Sequence, residues 1–214
     1  MKLGELKTQF KGLLNNTVVN NSPTLVSTFI NQSIMRIQRE LRVPFMEKQI
    51  LYTIPEDWNG KLAIPADLLA LKGIMVDADN DGILEYELNR RDLSTVVQAS
   101  QYPGHPSVYA RQGGSWILGA RPTAGDKVLI YYYAEFAALT DDDSENTCLK
   151  VAWDAVLQGA LSNATDYLDD DRVERFEKRY LQITQQLQEQ ADADELTANA
   201  AITPALRYED EGGW

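Results

Sequence analysis

Residues 22–54 read SPTLVSTFINQSIMRIQRELRVPFMEKQILYTI, and they contain the change of pattern that decides the fold. Up to Val43 the apolar residues recur every three or four positions, which predicts one face of an amphipathic helix. We expect the helix to begin at Ser22-Pro23, because an N-cap hydroxyl is followed there by a ring already fixed at helical φ. Pro44 ends the helical pattern. The β-branched and aromatic residues that follow predict a strand from Gln49 to Ile54.

The same two patterns account for most of the chain on either side of this stretch. An apolar stripe predicts a first helix from Lys2 to Asn15, and two more stripes after Thr140 predict a closing pair of helices. The acidic run Asp169–Asp171 separates the members of that pair. Short segments bounded by turn residues predict strands at Gln49–Ile54, Lys61–Ile64, Lys72–Val76, Gly82–Leu88, Pro106–Arg111, Ser115–Leu118 and Lys127–Tyr133. A hairpin turn is predicted at Asp79–Gly82 and a short helix at Asp92–Gln98.

Two helices before the strands and two after them predict an α+β fold. Residues 1–44 and 140–190 are expected to form an antiparallel four-helix bundle, with an inserted antiparallel β domain at residues 45–139. From Ala191 onward the helical periodicity is lost, and residues 191–214 carry six acidic residues against one arginine. This composition predicts an extended C-terminal tail that becomes ordered only when it docks on a partner.

Composition and charge exclude several classes of function. The formal net charge of −12 over 214 residues argues against binding to the DNA backbone, which requires clustered Lys and Arg. The chain has no apolar run long enough to span a membrane, and its first sixteen residues lack the apolar core of a signal peptide. A single cysteine, Cys148, excludes an intrachain disulfide framework. We therefore expect the protein to fold in a reducing cytoplasm.

No residue pattern predicts catalysis or a tightly bound cofactor. Asp77–Gly82 opens like a calcium loop, but the twelfth position, which needs a bidentate Glu, is Leu88. An acidic hairpin turn is the preferred interpretation, with a weak surface cation site left open. The one histidine, His105, lies between Gly and Pro, and Cys148 lies in a helical pattern, so the two do not suggest a nucleophile and its base. We predict no enzyme, no cofactor and no metal centre.

Three consecutive tyrosines, Tyr131 to Tyr133, fall in one predicted strand. Because side chains alternate along a strand, at least one of these rings must face opposite to the other two. One face is expected to pack on the core, and the other to meet a helix or a neighbouring subunit. The β region leaves a calcium- or carbohydrate-binding module open as an alternative function, and acidic pairs leave open a hydrolase.

Several segments occur in a characteristic order. These segments are Leu3–Leu6, Thr28–Val43, Ile64–Lys72, Gly104–Pro106 with Tyr109, Val128–Ala134 and the closing helix pair. In this order the chain resembles the head-to-tail adaptor (connector) protein family of short-tailed bacteriophages, over about residues 1–190. Each segment is a packing or turn signature and none is catalytic. The resemblance therefore implies a structural virion protein and not an enzyme.

The resemblance also implies an assembly. The resemblance implies a ring of twelve copies between the portal protein and the tail nozzle, which extends the DNA channel without binding DNA specifically. It implies synthesis in the host cytoplasm, a place in the neck of the virion, and no membrane. Another neck or tail-tube component remains an alternative. The C-terminal extension is expected to dock on portal subunits through its large apolar residues, because few buried aromatics supply most of the affinity. The residues expected to dock in this way are Ile202, Leu206, Tyr208 and Trp214.

Overall fold

The computed structural model of the chain describes residues 1–77 and 83–199, without the side chains of residues 196–199. Within them the helices are α1 (Leu3–Leu14), α2 (Thr17–Asn20), α3 (Pro23–Glu40), α4 (Leu93–Ala99), α5 (Thr147–Val151), α6 (Trp153–Tyr167) and α7 (Val173–Asn199). The strands are β1 (Glu47–Thr53), β2 (Lys61–Ala63), β3 (Leu68–Asp77), β4 (Tyr86–Glu87), β5 (Asn89–Arg90), β6 (Val108–Gln112), β7 (Ser115–Leu118) and β8 (Lys127–Ala134).

Residues 22–54, in which the helical pattern gives way to a strand pattern, fold as their local sequence signals predict. Helix α3 begins at Pro23, and the Oγ of Ser22 accepts a hydrogen bond from the backbone N–H of Leu25 at 3.4 Å. The helix ends at Glu40, and the chain is already extended at Leu41, before Pro44 is reached. Strand β1 then starts at Glu47. The predicted start of this helix and the predicted strand after it are confirmed.

The helices pack around one central helix, so the predicted four-helix bundle with an inserted β domain is wrong. Helix α6 contacts α1, α3, α5 and α7. Its buried residues, from Ala155 to Thr165, are distributed around the whole circumference of the helix. A helix that is apolar on all sides is the core of its layer, whereas a bundle helix has one polar face. The sequence pattern of α6 was interpreted as a single wide stripe, and this is why the arrangement was wrong.

The strands form two four-stranded sheets. Sheet A has the order β1-β8-β3-β4, and sheet B has the order β2-β7-β6-β5. Strands β5 and β6 run parallel, so the prediction of a purely antiparallel β domain is also corrected. The predicted hairpin turn at Asp79–Gly82 lies outside the described residues.

The β region is layered, and its cores set which faces remain open. Sheets A and B pack face to face, because one hydrophobic core takes Ile74 and Ile130 from sheet A and Leu62 and Trp116 from sheet B. Helix α4 covers the other face of sheet B through Val96. The helical layer has a separate core. Leu69 and Tyr133 of sheet A pack against the helical core, so the helices cover part of the opposite face of sheet A and only the rest of it is considered for contacts with other molecules.

A glycine allows the central helix to approach its neighbours closely. A Cβ at Gly159 would lie 3.0 and 3.1 Å from two ring carbons of Tyr180 and would collide with the Oγ of Ser33. We expect Gly159→Ala to lower the free energy of unfolding by about 1–3 kcal/mol, because overpacking strains the surrounding side chains. Denaturant unfolding followed by circular dichroism measures this change.

The matched control is Gly12→Ala in α1. Gly12 is exposed, and a Cβ there would meet nothing within 4 Å. This variant is expected to be stabilised by about 0.4–1 kcal/mol, because alanine restricts the unfolded chain. If Gly159→Ala were stabilised to the same extent, the close packing of the three helices would be contradicted.

Candidate functional site

The residues considered for catalysis do not form a site. The side chain of Cys148 is fully buried, and burial raises the pKa of its thiol to about 12. His105 is exposed in a loop. Within residues 1–77 and 83–199, no three His, Cys, Asp or Glu side chains are grouped so that they could hold a metal ion. The calcium-like motif begins at Asp77, and the rest of it lies outside the described residues.

One cavity of the described residues lies beside helix α4. It has a volume of about 360 Å³ and lies between α4 and the β2–β7 edge of sheet B. The indole N–H of Trp58, on its wall, donates a hydrogen bond to the backbone oxygen of Lys61 at 3.1 Å. Its charged lining residues are Lys61 and Arg121, and no acidic side chain, His or Cys lines it. The lining therefore offers no carboxylate, imidazole or thiol that could act as a general base.

Two of the three consecutive tyrosines face away from the core between the two sheets. Tyr132 is buried in the core between the sheets, and its hydroxyl donates a hydrogen bond to Asp67 at 2.9 Å. Tyr131 and Tyr133 lie on the other face of β8 and are half-buried. The prediction that the rings divide between two faces is confirmed.

Asp67 forms hydrogen bonds with side chains of the edge strand β1 and of the neighbouring strand β8 in sheet A. Besides Tyr132, it accepts a hydrogen bond from the Nζ of Lys48 at 2.6 Å, and its backbone oxygen accepts one from the N–H of Glu135. Burial by itself would raise the pKa of Asp67, but the hydrogen bonds from Lys48 and Tyr132 bring it below its usual value. Asp67 belongs to the Ile64–Lys72 segment noted in the sequence, so part of that segment has a structural role.

Lys72, at the end of the same segment, joins sheet A to the last helix. Its Nζ lies 2.7 Å from an oxygen of Glu47 on β1 and 2.8 Å from an oxygen of Glu195 on α7. The ammonium is also 5.8 Å from the centre of the Tyr133 ring. Glu195 and then Glu47 raise the pKa of Lys72. The two carboxylates fix the end of α7 beside the open face of sheet A.

Helix α7 corrects the predicted start of the C-terminal tail. Residues 191–199, expected to be extended, continue the helix to Asn199. Ala191 is buried, and Gln188 exchanges hydrogen bonds with the backbone of Arg42 at 3.2 and 3.4 Å. These contacts and the Lys72–Glu195 ion pair stabilise a segment whose composition alone predicted disorder. The four residues predicted to dock on a partner, from Ile202 to Trp214, lie outside the described residues.

The open face of sheet A carries an apolar strip. Leu129 on β8 lies directly between Leu51 on β1 and Met75 on β3, so the three side chains share one face. Tyr131 follows on the same face, opposite Gly73. We call Leu51, Met75, Leu129 and Tyr131 the outer strip. Leu129 is buried, with 9% of its surface exposed, and Met75 and Tyr131 are half-buried, so Leu51 is the exposed member of the strip.

Leu51 makes the outer strip accessible from the side. It is 56% exposed and lies on β1, which is the edge of sheet A and is exposed at six of its seven residues. An edge strand presents unpaired backbone N–H and C=O groups to any chain that comes alongside. The sequence predicted this strand but not its place at an edge, because strand order depends on pairing between distant segments. The outer strip and β1 form the surface best suited to bind another polypeptide segment.

A family model described as SU10 adaptor protein matches residues 1–205. No curated protein matches the chain. Among the helices of the described residues, none has the length and apolar character needed to cross a membrane.

Proposed function

Since this chain belongs to the SU10 adaptor protein family, we propose that it is a head-to-tail adaptor that forms a ring of twelve copies between the portal protein and the tail nozzle. The family is one of structural phage adaptors and not of enzymes, so the chain is a structural protein of the virion neck that joins head and tail proteins. The observation that carries the proposal is the family match, which extends through Ile202 to residue 205.

Exposed apolar side chains support the proposed ring. Leu13, Val18 and Tyr167 are 50%, 66% and 61% exposed, at the end of the helical layer where α1, α2 and α6 finish. A closed ring is built from heterologous contacts, in which one surface of a subunit binds a different surface of its neighbour. This helical end is one such surface, and its burial between subunits would remove apolar area from water.

The negative charge supports a DNA channel that does not bind DNA. Acidic loops lie at both ends of α1: the backbone oxygen of Asp142 accepts a hydrogen bond from the N–H of Gly4 at 2.9 Å, and Arg172, which follows Asp169–Asp171, donates to the oxygen of Leu14 at 3.0 Å. A surface of this sign repels phosphates. DNA would therefore move without adhering along a lumen lined by acidic side chains.

The C-terminal segment is proposed to bind the portal. Helix α7 carries the chain beyond the helical layer to Asn199, and the residues that follow include Ile202, Leu206, Tyr208 and Trp214. An extended segment gains affinity by inserting a few large apolar side chains into pockets of its partner. The ordering cost of such a segment is offset only when the partner is present, so assembly would proceed in sequence.

Electron microscopy tests the proposal. The purified chain is mixed with the portal protein of the same phage and imaged in negative stain, with each protein alone as a control. We expect an added ring of twelve subunits on the portal and no ring in the chain alone. A stable dodecamer without portal would contradict sequential assembly, and a chain that never joins the portal would contradict the adaptor role.

A further inference from the structure

We propose that, in the free subunit, residues 200–214 fold back on the outer strip of the same chain, with Ile202 and Leu206 against the exposed Leu51 and the half-buried Met75. The inference deepens the proposed function and rests on it, because the same apolar residues are the ones proposed to bind the portal. In the free subunit, sheet A of the same chain would bind these apolar residues until the portal competes for them. The docking surface is the edge of sheet A at Leu51 together with the outer strip beside it.

The end of α7 places the segment beside the strip. Glu195 is bonded to Lys72, and Lys72 precedes Gly73, which pairs with Tyr131 of the strip. From Lys72 to Met75 the strand rises only about 10 Å. Fifteen extended residues span up to about 50 Å, so residues 200–214 reach every part of the strip without strain. A short tether gives the segment an effective concentration on the order of millimolar at this face.

The chemistry of the segment fits the strip. Ile202 and Leu206 are four residues apart, so they lie on the same side of either an extended or a helical segment. The strip from Leu51 to Met75 crosses three strands, a width of about 10 Å, which accepts two such side chains.

A second copy of the chain could also cover this face, but the tether favours the segment of the same chain. The tethered segment needs no association between subunits, whereas a second copy must offset lost translational and rotational freedom. The net charge of −12 further disfavours contact between free subunits. The two occupants differ in one measurable respect, namely whether the contact joins residues of one chain or of two.

Disulfide trapping in the full chain distinguishes these occupants. The variant Leu51→Cys with Leu206→Cys is oxidised under mild conditions, and its products are separated by non-reducing electrophoresis and mass spectrometry. Cys148 does not compete, because it is fully buried. We expect an intrachain disulfide in most molecules, and little in the control Leu181→Cys with Leu206→Cys, since Leu181 is exposed on α7 fourteen positions before Glu195, the residue that contacts Lys72. Disulfides between two chains, or equal trapping in the control, would overturn the proposal.

Limited proteolysis provides an independent measure. Arg207 is the only Lys or Arg after Arg179, so trypsin reports on the C-terminal segment at one bond. We expect Leu51→Asp to speed cleavage after Arg207 about tenfold, which corresponds to about 1.4 kcal/mol. The matched control is Leu181→Asp, because Leu181 is 49% exposed against 56% for Leu51. Equal cleavage rates in wild type and both variants would overturn the proposal.

These experiments use no portal protein, so their outcome does not depend on whether the chain acts as an adaptor. If the segment docks on the strip but the chain does not bind portal, the adaptor role is contradicted and the docking stands. If the chain binds portal through residues 200–214 but shows no intrachain trapping, the docking is contradicted and the adaptor role stands. Circular dichroism of each variant establishes that it is folded before either result is interpreted.

Discussion

Replacement of the four large apolar residues of the C-terminal segment is expected to weaken binding of the chain to the portal protein at least about 100-fold, or 2.7 kcal/mol. The variant is the full chain with Ile202, Leu206, Tyr208 and Trp214 changed to alanine. Buried aromatic anchors each contribute about 2 kcal/mol or more to such interfaces, and their losses do not add fully. Biolayer interferometry or co-sedimentation with assembled portal measures the change.

The control alters polar residues of the same segment. Thr203, Arg207, Glu209 and Asp210 become alanine, which keeps the number of substitutions and the length of the segment. We expect this control to bind within about tenfold of wild type, because exposed polar residues at an interface contribute little. Circular dichroism establishes that both variants are folded before their binding is compared. Full portal binding by the apolar variant would show that another surface makes this contact.

Local signals in the sequence predicted most individual elements. The start of α3 at Ser22-Pro23 depends on one hydroxyl and one fixed φ angle, and α4 depends on Asp92, whose side chain accepts hydrogen bonds from the N–H groups of Ser94 and Thr95. Strand β7 lies at Ser115–Leu118, as predicted from its composition and flanking glycines. In each case the determining atoms are within a few residues of the element, so a sequence window contains them.

The arrangement of the helices and the exposed surfaces of the sheets depend on contacts between residues that are far apart in the sequence. Helix α7 continues past Ala191 partly because Glu195 pairs with Lys72, which is 123 positions earlier. The central place of α6 depends on small residues, such as Gly159, that have no strong pattern of their own. The outer strip exists because β8 lies between β1 and β3. The predicted partner residues, from Ile202 onward, were chosen by composition, and their role stays a prediction.

A polar cluster between α3 and α7 is the second place where one substitution has a large expected effect. The guanidinium of Arg36 donates two hydrogen bonds to Glu177, at 2.9 and 2.7 Å, and one to Glu40 at 2.8 Å. It also lies 4.1 Å from the centre of the Tyr180 ring. The hydroxyl of Ser162 on α6 donates to Glu177 at 2.8 Å. One cation thus connects carboxylates on two helices.

We expect Arg36→Ala to lower the free energy of unfolding at neutral pH by about 2–4 kcal/mol. Hydrogen bonds to charged groups contribute about 1.5–3 kcal/mol each, and the loss is reduced because the cluster is partly open to solvent. The variant also leaves Glu177 and Glu40 without their shared cation. Denaturant unfolding measures the change, and Arg39→Ala, an exposed arginine of the same helix, is expected to stay within about 0.5 kcal/mol of wild type.

The same cluster predicts how the effect depends on pH. The hydrogen bonds from Arg36 lower the pKa of Glu177, with burial opposing them and Ser162 assisting. A carboxyl with a lowered pKa in the folded state stabilises the protein above its unfolded pKa, about 4.3, and that contribution is lost as the pH falls through the folded pKa. The difference in stability between wild type and Arg36→Ala should therefore be largest near pH 7 and become smaller below about pH 4. A difference that stays constant down to acidic pH would mean that Arg36 acts through packing on Tyr180 and not through the carboxylates.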